Sequence, residues 1–170
     1  MKQQGLLVDG KLRNMASVYL FYQGRILLLY RQGSKVANQV WVASAGGHFE
    51  EHELNDARAC VLRELYEELA ITEERLENLC LRYVTLRGAK GEIRQNYYFF
   101  AELKGADELQ LSSDEGTLKW FSMDELAQLE MPFSAQFVLE HYMAEGRYTD
   151  AIYGGVANGE KVVFTELVEF

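Results

Sequence analysis

Three pairs of strand-like runs, each folded over a short turn, restrict this chain to a fold in which sheet outweighs helix. Residues 15–22 and 25–30 are rich in aromatic and branched side chains and flank Gln23-Gly24, the pattern of a tight hairpin. Residues 77–86 and 93–103 read as a second pair across the polar run 87–92, and residues 151–156 and 161–168 as a third around Asn158-Gly159. After a polar loop at 31–39, residues 40–43 form a short apolar strand that runs into Gly46-Gly47, expected to be the turn that ends it. Residues 118–121 add another short strand.

Helical periodicity is clearest at 56–70, where Val61, Leu62, Leu65, Tyr66 and Leu69 recur on one face. Ser122 followed by Glu125 forms a capping box that starts a short helix at Met123, ended near Pro132. Ser134 is expected to cap a further helix running to about Glu145, with Phe137, Val138 and Tyr142 on its apolar side and a left-handed Gly146 closing it. The sum is an α/β (α+β) domain over residues 1–170, with a core at about 15–145 and a hairpin extension at 150–168. An exposed strand edge in that extension could pair across a homodimer.

Composition narrows the setting. The chain is 48% apolar with a single proline, as expected of an ordered globular protein. No window approaches the roughly 18 apolar residues of a membrane span, and Met1-Lys2-Gln3-Gln4-Gly5 lacks the apolar centre of a signal peptide, so no membrane partner and a cytoplasmic location are expected. Cys60 and Cys80 have no CxxC spacing and read as small buried apolar residues. A net charge of −9 argues against nucleic acid as a partner. An anionic substrate would then approach through bound cations.

On a helical wheel at about 100° per residue, Glu64, Glu67 and Glu68 share one patch beside the apolar stripe. Their spacing brings like charges within reach of one another, which a hard cation such as Mg²⁺ or Mn²⁺ would relieve. Such ions keep waters and bind phosphates, so the substrate class is polyphosphate-like. Arg63, four residues before Glu67, can hold that carboxylate in place. An Arg-Glu-Leu-Tyr-Glu-Glu run alone is also what a solvated helix face looks like. The odds change because an apolar strand, Gly46-Gly47 and Glu53 precede it.

The run GHFEEHELNDARACVLRELYEELAI resembles the Nudix box, in which Gly, five residues, Glu and seven residues lead to Arg-Glu-apolar-any-Glu-Glu-any-Gly-apolar. Here nine residues separate Glu53 from Arg63, read as two residues added near Leu54-Asn55-Asp56, and Ala70 replaces the glycine. Trp41 before the glycines, Glu115-Gly116 before Leu118-Lys119-Trp120-Phe121 and the helix after Ser122 extend the resemblance over about 15–145. It implies a mixed β-sheet sandwiched between helices and a metal-dependent pyrophosphohydrolase. The substrate would be a nucleoside diphosphate derivative, whether a nucleoside triphosphate, an oxidised nucleotide or an ADP-sugar. A nucleotide sensor or protein-interaction domain without turnover is the alternative.

The resemblance further implies metal ligands at Glu64, Glu67, Glu68 and the Gly46 carbonyl, with Arg63 orienting them. Glu115 matches a position where some members place another acidic residue. Water attacks phosphorus in such a site with a carboxylate as base, and Glu53, Glu67, Glu68 and Glu115 all qualify. Arg87 and Arg94, with Arg82 and Lys90, could contact substrate phosphates. Tyr97-Tyr98-Phe99-Phe100 alternates its rings between sheet faces, and Trp41 reads as packing. His48, His52 and His141 share no helix-face spacing and are expected not to be ligands.

Overall fold

One long strand organises the molecule by sending alternate side chains into two different cores. In the computed structural model, which describes residues 11–33 and 38–168, β1 (Lys11–Tyr22) pairs antiparallel with β2 (Arg25–Arg31) through Gln23 and Gly24, both at positive φ (50° and 73°). Two successive left-handed residues match the twist of the flanking strands, which is why this dipeptide closes the hairpin. The reading of residues 1–5 and the middle of the 31–39 loop lie outside the described residues.

β3 (Val40–Val42) and β4 (Ala45–His48) follow, and after the helical segment come β5 (Leu76–Ala89) and β6 (Glu92–Leu103). The expected 87–92 loop shrinks to Lys90-Gly91, at φ 53° and 73°, because Arg87, Gly88 and Ala89 continue the ladder with Arg94, Ile93 and Glu92. β7 (Gly116–Ser122) pairs with β2. β8 (Ile152–Ala157) and β9 (Val162–Leu167) form the third hairpin, whose Asn158 Oδ1 accepts from the Glu160 and Lys161 backbone N–H groups. The sheet order is β3-β2-β1-β6-β5-β8-β9, with β4 on β1 and β7 on β2, so the C-terminal hairpin extends the same sheet through a parallel β5–β8 pairing.

β2 pairs with β1 only at Leu20–Tyr22, and the 40–48 segment fills the opening by lying first on β2 and then on β1. Ser44, fully buried between the two, accepts from Leu20 N–H at 2.9 Å and donates to the Leu27 carbonyl at 2.6 Å. These bonds satisfy backbone groups that the split would orphan.

α1 (Ala57–Leu69) covers one face, burying Cys60, Val61 and Leu65 against Val18, Leu20 and Leu27. α2 (Phe133–Ala144) covers the other, packing Val138 and Leu139 with Tyr19, Ile26 and Leu28. Each fully buried aliphatic side chain contributes about 1.5–3 kcal/mol, so the two clusters hold helices and sheet together. The sheet between helices is as the resemblance implied.

Several local expectations are corrected. Tyr66, read as part of the α1 stripe, is exposed, while Val61, Leu62, Leu65 and Leu69 pack toward the sheet. Pro132, not Ser134, holds the N-cap position of α2; Ser134 is buried inside the first turn, since proline's fixed φ and missing N–H suit a helix start. Gly146 does not close α2 in a left-handed conformation but opens a 3-10 turn, Gly146–Tyr148, where a methyl group would collide with the Tyr83 hydroxyl. Cys60 is buried, but Cys80 is exposed, set between two register irregularities of β5 that turn its side chain outward. The Ser122–Glu125 capping box is present and starts a 3-10 helix, Met123–Gln128. No described helix is long and apolar enough to cross a membrane.

Candidate active site

Gly46 and Gly47 lie within β4, opposite Ser17 and Ala16, and not in the turn expected of them. Close approach is the reason for glycine here. A Cβ on Gly46 would stand 2.5 Å from the Ala16 carbonyl oxygen, and one on Gly47 would overlap the Glu64 carboxylate. The pair lets β1 press on one side and the acidic face of α1 on the other.

α1 begins at Asp56, whose carboxylate accepts from Ala59 N–H at 3.0 Å, and ends at Ala70, held left-handed at φ 53° where the family pattern has glycine. The residues read as added, around Leu54-Asn55, form a turn with Asn55 at φ 69°. Glu53, just before it, is buried in a 3-10 turn (Glu51–Glu53) and still reaches Arg63. Arg63 Nε donates to Glu53 Oε1 at 2.6 Å and Nη2 to Glu53 Oε2 at 3.0 Å. Its Nη1 donates to Glu64 at 2.8 Å and to Glu67 at 3.1 Å, and Nη2 also reaches the His48 carbonyl at 3.0 Å. The Arg63–Glu67 pair is as expected; the bidentate Glu53 pair is the stronger anchor. Arg63 holds the Glu53 carboxyl down to about 2, and Glu53 in turn pushes the guanidinium further from neutrality.

Glu68 accepts from the Gly46 N–H at 3.2 Å. Burial, followed by the charge of Glu115, raises its carboxyl to about 7, and burial likewise raises that of Glu64. Glu115 is thereby placed beside the helix acids, in an ion pair with Arg31 at 3.0 Å. Glu67 is half-exposed. The structure thus brings together Gly46, Glu64, Glu67, Glu68 and Glu115, with Arg63 and Glu53 behind them.

A cavity of about 140 Å³ opens beside Gly46 on the opposite sheet face, with Ser17, Arg31, Arg94, Asn96 and Tyr98 among its lining. Arg94 therefore shares a cavity with Gly46, and Arg87 stands opposite it on β5, 4.3 Å over the Phe133 ring. Lys90 sits exposed at the hairpin tip. Arg82 is corrected: it is buried and donates to the carbonyls of Gly146 (2.6 Å), Thr149 (2.7 Å) and Ala151 (3.1 Å), pinning the C-terminal segment to β5.

His48 bonds to Arg13, and His141 to the Tyr83 hydroxyl. Glu50, His52 and Glu53 bring ligand atoms within 4.8 Å of one another, but Glu53 is taken up by Arg63. Tyr98 and Phe100 face α2 while Tyr97 and Phe99 face α1, and Trp41 packs on Tyr30 and Phe121. Sequence reasoning missed Arg13, Arg31 and Asn96. Arg13 and Asn96 converge through the parallel β1–β6 register and Arg31 reaches the same cavity from the end of β2, and the odd-numbered alternation Arg13, Met15, Ser17, Tyr19 was the trace of that face.

A NUDIX domain model matches residues 11–141. The E. coli ORF135 protein superposes with a TM-score of 0.63 at 25% identity, covering 82% of this chain and 94% of that one. The mMutator MutT protein from Bacillus halodurans gives 0.62 at 21% identity (91% and 97% covered), and a C. elegans Ap4A hydrolase binary complex gives 0.61 at 24% (78% and 96%). A search of curated proteins returns no match.

Proposed function

The chain belongs to the NUDIX domain family, and on that premise we propose that it is a Mg²⁺- or Mn²⁺-dependent pyrophosphohydrolase that cleaves a diphosphate linkage in a nucleoside diphosphate derivative. Nucleoside triphosphates, oxidised nucleotides and ADP-sugars are the substrate types proposed, in the cytoplasm. A solved relative named as an Ap4A hydrolase fits this class.

One observation carries the reading: the α1 carboxylates are crowded, with Glu64 and Glu68 partly buried and Glu64 and Glu67 linked to one guanidinium that a buried acid fixes. Burial and Glu115 disfavour the charged forms of Glu64 and Glu68, an imbalance that a divalent cation would correct. Hard oxygen donors of this kind suit Mg²⁺ or Mn²⁺. Glu64, Glu67, Glu68 and the Gly46 carbonyl would hold the ion, and it would neutralise charge on the phosphoryl group and make a bound water more acidic.

Arg63 keeps Glu64 and Glu67 in fixed rotamers, and Glu53 keeps Arg63 in place. Glu53, held to about 2 and committed to Arg63, is a poor acceptor for a water proton, so it positions Arg63 instead. Glu67, half-exposed, or Glu115 takes that proton. Arg94, and Arg87 beside it, contact substrate at the cavity next to Gly46. The edge of β9, unpaired among the described residues, is where a homodimer would form, which gel filtration of a chain truncated after Arg147 tests.

A screen of nucleoside triphosphates, ADP-ribose, nucleotide sugars and dinucleoside polyphosphates with millimolar Mg²⁺ or Mn²⁺ should yield a turned-over diphosphate, silenced by chelator. Activity indifferent to metal would contradict the proposal. Tight nucleotide binding without turnover would indicate a sensor instead.

A further inference from the structure

Arg13, Arg94 and Arg87 stand side by side on three neighbouring strands, Arg13 opposite Arg94 and Arg94 opposite Arg87. Like charges directly opposite each other in a sheet repel, so such a row needs an offsetting partner. Among the described residues that partner is Glu92 alone, which accepts from Arg13 Nη1 at 3.2 Å and from Arg94 Nε at 3.4 Å. Arg87 lies over the Phe133 ring. Three guanidiniums against one carboxylate leave an excess of two positive charges, in a chain whose net charge is −9.

Arg13 is fully occupied, its other nitrogens lying 3.1 and 2.7 Å from His48 Nε2. Arg94 uses only Nε, and its two terminal nitrogens have no partner among the described residues. Arg13 and Arg94 both line the cavity beside Gly46, together with Pro132 and Ala135 at the start of α2, and no acid among the described residues lines it. α2 has 12 residues, with no side-chain cap and no acid in its first turn, so the positive end of its dipole adds to the row.

We propose that this cavity is a subsite for a phosphomonoester, so that the substrate carries a second, terminal phosphate in addition to the diphosphate that is cut. The identification rests on the hydrolase reading for what is bound at the acids beyond Gly46. A phosphomonoester brings about −1.5 to −2 charges and three acceptor oxygens, matching the excess charge and the free planar fork of Arg94. A neutral ring would leave guanidinium donors desolvated and unpaired. At about 140 Å³ the cavity holds one end of a ligand, since whole small-molecule sites run to roughly 300–1,000 Å³.

The test compares binding of 5′-AMP, adenosine 2′,5′-bisphosphate and adenosine 3′,5′-bisphosphate to the metal-free protein by calorimetry, in wild type and Arg94→Gln. One bisphosphate should bind about ten-fold tighter than 5′-AMP or better, and Arg94→Gln should bring the ratio close to one. Equal binding of all three in wild type would overturn the proposal. So would a uniform loss in Arg94→Gln, because Arg94 would then touch only the part the ligands share. These readouts need no turnover: a bisphosphate preference in a protein inactive with either metal would discard the hydrolase reading and keep the subsite.

Discussion

Replacing Glu53 with glutamine keeps the side chain's shape and removes its charge from the buried side of the site. The wild-type carboxylate is 1% exposed, forms two hydrogen bonds with Arg63 at 2.6 and 3.0 Å, and accepts from Glu50 N–H at 2.9 Å. Breaking one side of a fully buried pair costs about 3–5 kcal/mol. Arg63 is partly exposed and keeps Glu64, Glu67 and the His48 carbonyl, so a loss of about 2–3 kcal/mol is expected at pH 7, a fall in Tm of roughly 4–12 °C. The carboxyl sits at about 2 in the fold against an ordinary 4.5, which corresponds to about 3 kcal/mol and agrees in size. A folded value below the unfolded one means that the stabilisation is complete above about pH 4.5 and fades as pH falls toward 2. Urea denaturation of wild type and Glu53→Gln from pH 7 to pH 3 should therefore show a constant gap down to about 4.5 and a closing one below it. A gap under about 0.5 kcal/mol at pH 7, or one that ignores pH, would refute the assignment of Glu53 as the anchor of Arg63.

Two further substitutions probe neighbouring links. Gly47→Ala forces the Glu64 carboxylate aside and should weaken metal activation about 10- to 100-fold while leaving the Tm within a few degrees, measured as the Mg²⁺ concentration needed for half-maximal turnover. Arg82→Met strips three backbone carbonyls of their guanidinium donor, the Gly146 one keeping only Thr149 as a donor, and should cost about 2–4 kcal/mol, with amide exchange in β8 accelerating before exchange in β1; uniform acceleration would mean that Arg82 does not anchor the C-terminal hairpin specifically.

Local pattern made the strands, the three hairpins and α1 legible, because Gln23-Gly24 and Asn158-Gly159 carry their own conformational preferences and Leu65 recurs with Val61 and Leu69 at helical spacing. The acids of α1 were legible for the same reason. Tertiary contact decided what the sequence misread. Gly46 and Gly47 look like turn residues, yet their freedom is used for close packing inside a strand. Arg82 looks like a surface charge until the C-terminal segment supplies three carbonyls to bury it. Glu53 reaches Arg63 across nine intervening residues because the added ones are taken up in the turn before α1. Arg13 becomes part of the site only through the β1–β6 register, which no local pattern encodes.

The most direct measurement is metal-dependent hydrolysis of the best diphosphate substrate by wild type, Glu67→Gln and Glu68→Gln at saturating Mg²⁺, with folding checked by thermal denaturation. Both variants should remain folded and lose at least about 100-fold in kcat/KM, since each removes a carboxylate from the face proposed to hold the cation. Turnover equal to wild type in either folded variant would contradict the central claim that the α1 carboxylates carry the chemistry.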